Sequence, residues 1–321
     1  MHVFLAGGTG AIGLRLVPQL VERGHRVTAT TTTPTKAPLL ERLGATAVTV
    51  DGLDAARVGE AVAAAQPDAI VHQMTALAGK PDPKRFDRWF AVTNRLRTEG
   101  TDHLLAAAQA SGVGHVVAQS FTGWPNIRTG GWVKTEDDPL DPDPPKWQRE
   151  TLAAIRHVED AVTRAGGAAL RYGGLYGPGA SEAMATMVRR RMWPLVGGGT
   201  GYSSWVHVDD AAAATVLALE RRAQGLFNIV DDEPAPVSQW LPYFAQCVGA
   251  KAPLRLPVWL GRLLAGDVAV SAMTATRGSS NVRAKRELGW ELRWPSWRQG
   301  FRDGLEDGPR NGVQHGLREG A

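Results

Sequence analysis

The first thirteen residues, MHVFLAGGTGAIG, constrain this chain more than any other stretch. Residues 2–6 form a short apolar run that ends in glycines. From 11 to 23, Ile12, Leu16 and Leu20 recur at helical spacing among Arg15, Gln19, Glu22 and Arg23. Strand, tight turn and helix therefore follow without a gap. Glycine permits positive φ and close approach of the backbone to a ligand, and the helix that follows points unpaired N–H groups and its dipole at an anion. Gly8, Gly10 and Gly13 satisfy G-x-G-x-x-G, and Gly7, Gly10 and Gly13 satisfy G-x-x-G-x-x-G. A dinucleotide site is expected here, with Gly7, Thr9, Gly10, Ala11 and Ile12 around its phosphates.

Gly24 stands where a helix would close, and residues 25–30 (HRVTAT) read as a second strand. An NAD-preferring site carries an acid about 20 residues beyond the glycines, to bind the ribose 2′-hydroxyl. This region instead holds Thr30, Thr31, Thr32 and Thr33, with Lys36 beyond. Hydroxyls and a lysine suit a 2′-phosphate, which favours NADP(H) over NAD(H); the other reading is a threonine run that caps the next helix. Residues 45–50 read as a third strand. Asp51, Gly52 and Leu53 at its carboxyl end are placed to reach an adenine, unless Asp51 belongs to the cap of the helix from Asp54. Residues 69–73 form a fourth strand, whose exit carries Gln73 and Met74 along the cofactor; His72 inside it reads as a core histidine. A helix over 84–110, a fifth strand at 115–119, a helix over 151–165 and a sixth strand at 168–171 follow. Strands separated by helices need parallel crossovers, which predicts an α/β, Rossmann-type doubly wound sheet.

Residues 120–146 break this pattern with Gly, Pro, Asp and Trp, and a loop of that length in a compact domain is usually functional. Beyond 180 the elements shorten. Residues 202–208 (YSSWVHV) read as a strand, Asp209 as the cap of a helix over 211–220, residues 227–230 as a late strand and 240–248 as a helix. Arg189, Arg190 and Arg191 read as a substrate-phosphate cluster or a solvated helix end. The expected division is a dinucleotide domain over 1–180, rejoined by a strand and helix near 205–230, a smaller substrate domain over 181–305, and a disordered tail over 306–321. The 321 residues suffice for this, with 43% hydrophobic. A net charge of +4 with interspersed signs argues against a nucleic-acid partner. The single Cys247 fits a reducing compartment, and no apolar run approaches a membrane span, so a cytoplasmic monomer or homodimer is expected. No metal site is expected.

With these pieces placed, the chain resembles the extended short-chain dehydrogenase/reductase family, the NAD(P)-dependent epimerase/dehydratase group, from Met1 to about Phe301. The matching stretches are AGGTGAIG at 6–13, Asp51, TNRLRTEGTDHLLAAAQASGV with Asn94, LRYGGLYGPG at 170–179, WVHVDDAAAA at 205–214, FNIVDDEP at 227–234 and RAKRELGWE at 283–291. The resemblance implies a nicotinamide dinucleotide contacted also by Asn94, Gln119, Tyr172, Gly173 and Leu175. It also implies a Tyr-x-x-x-Lys pair that exchanges a proton with the substrate while hydride moves. That pair falls on Thr151 and Ile155. Four residues after Tyr172, Tyr176, Tyr202 and Tyr243 stand Tyr176, Ala180, Val206 and Cys247, so the motif occurs nowhere. The accompanying serine position falls on Phe121, between Ser120 and Thr122, which become the candidate proton donors beside water and the substrate itself.

Among 11 tryptophans, Trp124 and Trp132 lie in the long loop facing the expected site, which suits a flat hydrophobic substrate. Trp290, Trp294 and Trp297 read as core. The expectation is an NADPH-dependent ketoreductase of an aromatic or polycyclic secondary metabolite; the alternatives are a sugar-nucleotide epimerase or dehydratase and a non-catalytic redox sensor.

Overall fold

The computed structural model describes residues 1–77 and 86–307. Its centre is one parallel sheet of β1 (His2–Ala6), β2 (Arg26–Thr31), β3 (Thr46–Thr49), β4 (Ala69–His72), β5 (Val116–Phe121), β6 (Ala168–Tyr172) and β7 (Gly225–Ile229). The strands lie in the order β7-β6-β5-β4-β1-β2-β3. Strand order reverses between β1 and β4, and a doubly wound sheet opens its ligand crevice at the carboxyl ends of the strands at such a point.

Both faces of the sheet are covered, and its central strands β1, β4, β5 and β6 are buried at every position but Phe121. Val3 and Leu5 point to one face, where α1 (Gly13–Glu22) packs beside α8 (Val208–Glu220). Phe4 and Ala6 point to the other, against α3 (Ala55–Ala65), α5 (Glu99–Ala110) and α6 (Arg149–Arg164). Between these lie α2 (Ala37–Arg42), α4 (Phe86–Arg97) and α7 (Glu182–Arg189).

The long helix expected over 84–110 is two helices, α4 and α5, that break at Thr98 (φ −96°, ψ −83°); residues 84–85 lie outside the described residues. The strand expected over 202–208 is two short pieces, Tyr202–Ser203 and Trp205–His207, and Val208 already belongs to α8. His207 rather than Asp209 caps that helix, its Nδ1 accepting from the Asp209 N–H at 3.1 Å. Trp205–His207 pairs in parallel with Gly174–Tyr176 and so brings the later chain against the exit of β6. Around it a second core gathers Tyr176, Val188, Trp240, Phe244, Trp297 and Phe301 from α7, α9 (Val237–Cys247) and α12 (Trp297–Asp303). Helix α10 (Val258–Thr274) is kinked at Gly266, where φ is 82°, and α11 (Val282–Leu288) follows. Of the tail expected to be disordered, Asp307 accepts from Arg15 Nη1 at 2.8 Å, and residues 308–321 lie outside the described residues. No helix among the described residues is long and apolar enough to cross a membrane.

Candidate functional site

The four glycines after β1 divide by what a side chain would meet. Gly7 has φ +95°, and a Cβ there would stand 2.8 Å from the Gln73 backbone. At Gly13 it would stand 2.5 Å from the carbonyl oxygens of Gly7 and Gly8, and at Gly8 2.9 Å from Ala29. These three close the turn against the sheet. A Cβ on Gly10 would meet only the Gly7 carbonyl oxygen, at 3.5 Å. Gly10 therefore faces open space, as a turn that takes a pyrophosphate must. A cleft of about 470 Å³ lies there, lined by Thr9, Ala11, Arg15, Pro178 and Glu182. It is the open backbone at Gly10 that fits a pyrophosphate, since three carboxylates, Glu182, Glu306 and Asp307, also line the cleft and Arg15 is paired with Asp307; Ile12 is buried and can offer only its backbone.

At the end of β2, Thr30 Oγ1 accepts from the Gly7 N–H at 3.0 Å, and Thr31 and Thr9 hydroxyls lie 3.3 Å apart. Thr32 and Lys36 are exposed, and no threonine side chain caps the turn at Pro34–Lys36 or α2. Asp54, not Asp51, caps α3 by accepting from the Arg57 N–H at 3.1 Å. Asp51 accepts from the Leu53 N–H and stays exposed at the end of β3. Gly52 is buried on Met74, where a Cβ would overlap the sulfur.

Three side chains expected at the cofactor, Gln73, Tyr172 and Gln119, turn elsewhere. Gln73 Nε2 donates to the Tyr172 hydroxyl at 2.9 Å, and that hydroxyl shares a 2.7 Å bond with Thr215 of α8. Gln73 and Tyr172 are thus buried under the sheet edge, and burial pushes the Tyr172 phenol up to about 12. Gln119 Nε2 donates to the Met74 carbonyl at 2.9 Å. Gly173 hugs the Ser204 carbonyl oxygen, 2.5 Å from where its Cβ would be, and Leu175 packs on the core of the sheet. His72 is a buried core residue, as expected: its Nε2 bonds the Leu96 carbonyl, its Nδ1 accepts from the Met74 N–H, and burial drops it to about 4.

The wall where the family resemblance puts its acid pair is inert. Thr151 is fully buried and accepts from Asn94 Nδ2 at 3.1 Å. Ile155 is fully buried with Leu140 and Leu152, and Phe121 and Trp124 pack over them. Ser120 is not presented to the cleft: its hydroxyl donates to Glu159 Oε1 at 2.6 Å. Glu159 in turn holds Arg171 by two 2.7 Å bonds, all of it buried. The Thr122 hydroxyl is shared with Ser279 at 2.6 Å and Asn126 at 3.3 Å, so neither candidate donor has a free proton to give.

A cavity of about 160 Å³ opens beside this wall, bounded by Phe121, Thr122, Trp124, Trp193, Trp205, Trp240, Met273 and Thr276 among others, none of its lining residues charged. Trp124 of the long loop is among the lining residues. Trp132 is not: it stacks on Tyr202 with centroids 5.3 Å apart, beneath the Arg277 guanidinium. Trp193, Trp205 and Trp240 were hidden in the sequence, lying far apart in segments that read only as structural. Trp290 and Trp297 are buried core residues and Trp294 is half-buried. Arg190 and Arg191 are an exposed helix end, and Arg189 Nε bonds the Val248 carbonyl.

The NAD dependent epimerase/dehydratase family matches residues 3–229. The chain is 43% identical over 307 residues to a 3-diazoavenalumate denitrifying reductase of Streptomyces sp, covering 93% of this chain and 98% of that one. It is 29% identical over 268 residues to the 2-alkyl-3-oxoalkanoate reductase of Stenotrophomonas maltophilia, covering 78% and 76%. Among solved structures, a Thermotoga maritima UDP-glucose 4-epimerase shares the fold with a TM-score of 0.76 at 20% identity, over 95% of this chain and 97% of that one. With its glycine turn, open cleft and reversed strand order, the chain belongs to the NAD-dependent epimerase/dehydratase family of extended short-chain dehydrogenases, as an NAD(P)-dependent oxidoreductase.

Proposed function

We propose that this protein is an NADPH-dependent reductase of a flat aromatic secondary metabolite whose hydride acceptor needs no proton from the protein. One observation carries the reading: the cavity beside Phe121 has no charged lining residue, and the positions where a proton-donating pair would stand are Thr151, bonded to Asn94, and Ile155, packed on Leu152 behind Phe121 and Trp124. When bound, a reduced nicotinamide supplies one hydride. Gly10 leaves room for the pyrophosphate, and Thr32 and Lys36 are exposed to a 2′-phosphate with no carboxylate at the end of β2 to oppose it. Phe121, Trp124 and the other tryptophans exclude water and hold a planar ring.

An aryl diazonium fits such a site. Hydride adds to the ring carbon, the C–N bond breaks with its pair leaving on nitrogen, and arene and dinitrogen result with no proton in the balance. The relative at 43% identity, named for a denitrifying reduction of a diazo compound, supports this acceptor class. A ketone is the second reading, favoured by the relative named as an oxoalkanoate reductase; its alkoxide would take a proton from water or from a phenol on the substrate. A sugar nucleotide fits less well, because its diphosphate would find no cation among the cavity's lining residues.

The test is turnover of an ortho-diazophenol and of an aryl ketone of similar size, with NADPH and with NADH. The expected result is faster oxidation of NADPH, dinitrogen released in equal amount, and deuterium on the arene carbon when the transferring position of NADPH is deuterated. Turnover of the ketone alone would replace the diazo acceptor, and binding of NADPH with no turnover of either would leave a dinucleotide-binding sensor.

A further inference from the structure

Leu263 and Trp259, 70% and 66% exposed, are the two most exposed of the large apolar side chains among the described residues, and both lie in the first half of α10. Gly261 between them fixes the direction in which they point. It is buried on the short strand Leu195–Val196, where a Cβ would stand 2.5 Å from Val196 Cγ1. At about 100° per residue, positions two before and two after Gly261 face directly away from that strand. Leu264, at 54%, and Val258, at 39%, flank them. The outward face of a surface helix is ordinarily polar, and this one is apolar.

Cations surround it. Leu195–Val196 runs parallel to Arg255–Leu256, and Arg191 Nη2 donates to the Ala252 carbonyl at 3.5 Å, so residues 191–197 lie alongside 252–256. Residues 189–192 and 251–267 carry Arg189, Arg190, Arg191, Lys251, Arg255 and Arg262, all exposed, against the single acid Asp267. These two segments thus hold a net +5, while the whole chain holds +4. Asp267 pairs with Arg262 at 2.7 Å, and the other five cations form no ion pair among the described residues.

An uncovered apolar patch within a ring of charge marks a docking surface, and the charge selects what docks. A second copy of the chain, meeting this face with the same face, would bring two surfaces of +5 together. An anionic surface is attracted instead. Trp259 and Leu263 project from their helix rather than line a groove, which suits a fluid layer that side chains can enter. We propose that the first half of α10 docks this protein on an anionic lipid surface. Trp259, Leu263 and Leu264 enter the headgroup layer, and Arg190, Arg191, Lys251 and Arg255 lie on lipid phosphates. The docking does not depend on what the aromatic cavity binds.

The test is sedimentation of the full chain with vesicles of phosphatidylcholine alone and of equal parts phosphatidylcholine and phosphatidylglycerol. The protein is expected to sediment with the mixed vesicles only, and less as salt is raised. Trp259→Ser combined with Leu263→Ser should weaken that binding roughly tenfold or more, with the urea unfolding midpoint unchanged because both side chains face solvent. Arg190→Gln combined with Arg191→Gln should weaken it by roughly fivefold for each cation removed. No binding to the mixed vesicles overturns the proposal, and so does equal binding to both kinds. Undiminished binding by the Trp259 and Leu263 variant also overturns it, since charge alone would then hold the protein. A dimer of the wild type that the same variant abolishes would make a second copy the occupant in place of lipid.

Discussion

Gly10 and Gly13 lie three residues apart in the same turn, yet substitution should separate binding from folding there. Alanine at Gly13 would place a methyl 2.5 Å from two carbonyl oxygens, so the turn must open; a stability loss above about 2 kcal/mol is expected. Alanine at Gly10 meets nothing closer than 3.5 Å and should stay within about 0.5 kcal/mol of the wild type. Its methyl occupies the space a pyrophosphate needs, so NADPH should bind roughly tenfold or more weakly. Urea unfolding and energy transfer from tryptophan to NADPH measure the two effects. Ser120 poses the converse question, a residue next to the expected chemistry whose hydroxyl is spent on Glu159. Ser120→Ala should cost about 1.5 to 3 kcal/mol of stability, as the loss of a bond to a buried carboxylate does, with kcat/KM unchanged within about twofold. A fall of roughly 10² or more in kcat with stability intact would make it the proton donor after all.

On the scale of the element, α6 shows how far the chain has moved from an acid–base mechanism. Thr151, Ile155 and Glu159 succeed one another at four-residue spacing on the buried face of this helix, as an amide-bonded hydroxyl, an aliphatic packing residue and the partner of Arg171. Ile155→Lys would put an ammonium among Leu140, Leu152 and Trp124, one turn from a Glu159 already held by Arg171, and should cost about 3 to 5 kcal/mol. Ile155→Met should cost under about 1.5 kcal/mol, which distinguishes buried charge from altered volume in urea unfolding. At the end of β4, His72 gives the acid limb of stability. Its pKa falls from 6.5 to about 4 on folding, so the stability it adds is complete above pH 6.5 and is lost as pH falls towards 4. The difference in stability between wild type and His72→Gln should therefore shrink by about 3 kcal/mol across that window, and a constant difference would show that His72 titrates alike in both states. The strands and the glycine turn were legible because apolar runs bounded by glycine carry their own period. The break at Thr98 was not, since the neighbouring Gly100 lies inside α5 and not at the break. Trp193, Trp205 and Trp240 become one wall only through the pairing of Trp205–His207 with Gly174–Tyr176, a contact no local pattern announces.

For the molecule as a whole, the aromatic cavity lies where the central sheet meets the second core: Phe121 and Thr122 come from the exit of β5, and Trp193, Trp205, Trp240 and Met273 from the chain beyond 180. Neither partner contributes a titratable group to the space between them. The nearby groups that do shift are committed to packing: Tyr172 bonds Gln73 and Thr215 inside the sheet, and Tyr176, buried beside His207 and Phe301, is pushed above the ordinary phenol range by burial, with Asp231 acting in the same direction. A protein acid in the rate-determining step would impose its own pKa on kcat, so a site without one predicts none. With a diazo substrate, kcat should be flat between about pH 6 and 9, apart from any ionisation of the substrate itself. Deuterium oxide as solvent should leave kcat unchanged, while NADPH deuterated at the transferring position should slow it. With a ketone, the one proton that the alkoxide needs must arrive from outside the wall, and a solvent isotope effect should appear on the same protein. A sigmoid or bell-shaped profile for the diazo substrate that no substrate ionisation accounts for would mean that a protein group reaches the reacting carbon from beyond the cavity wall, and the proton-free mechanism would fall.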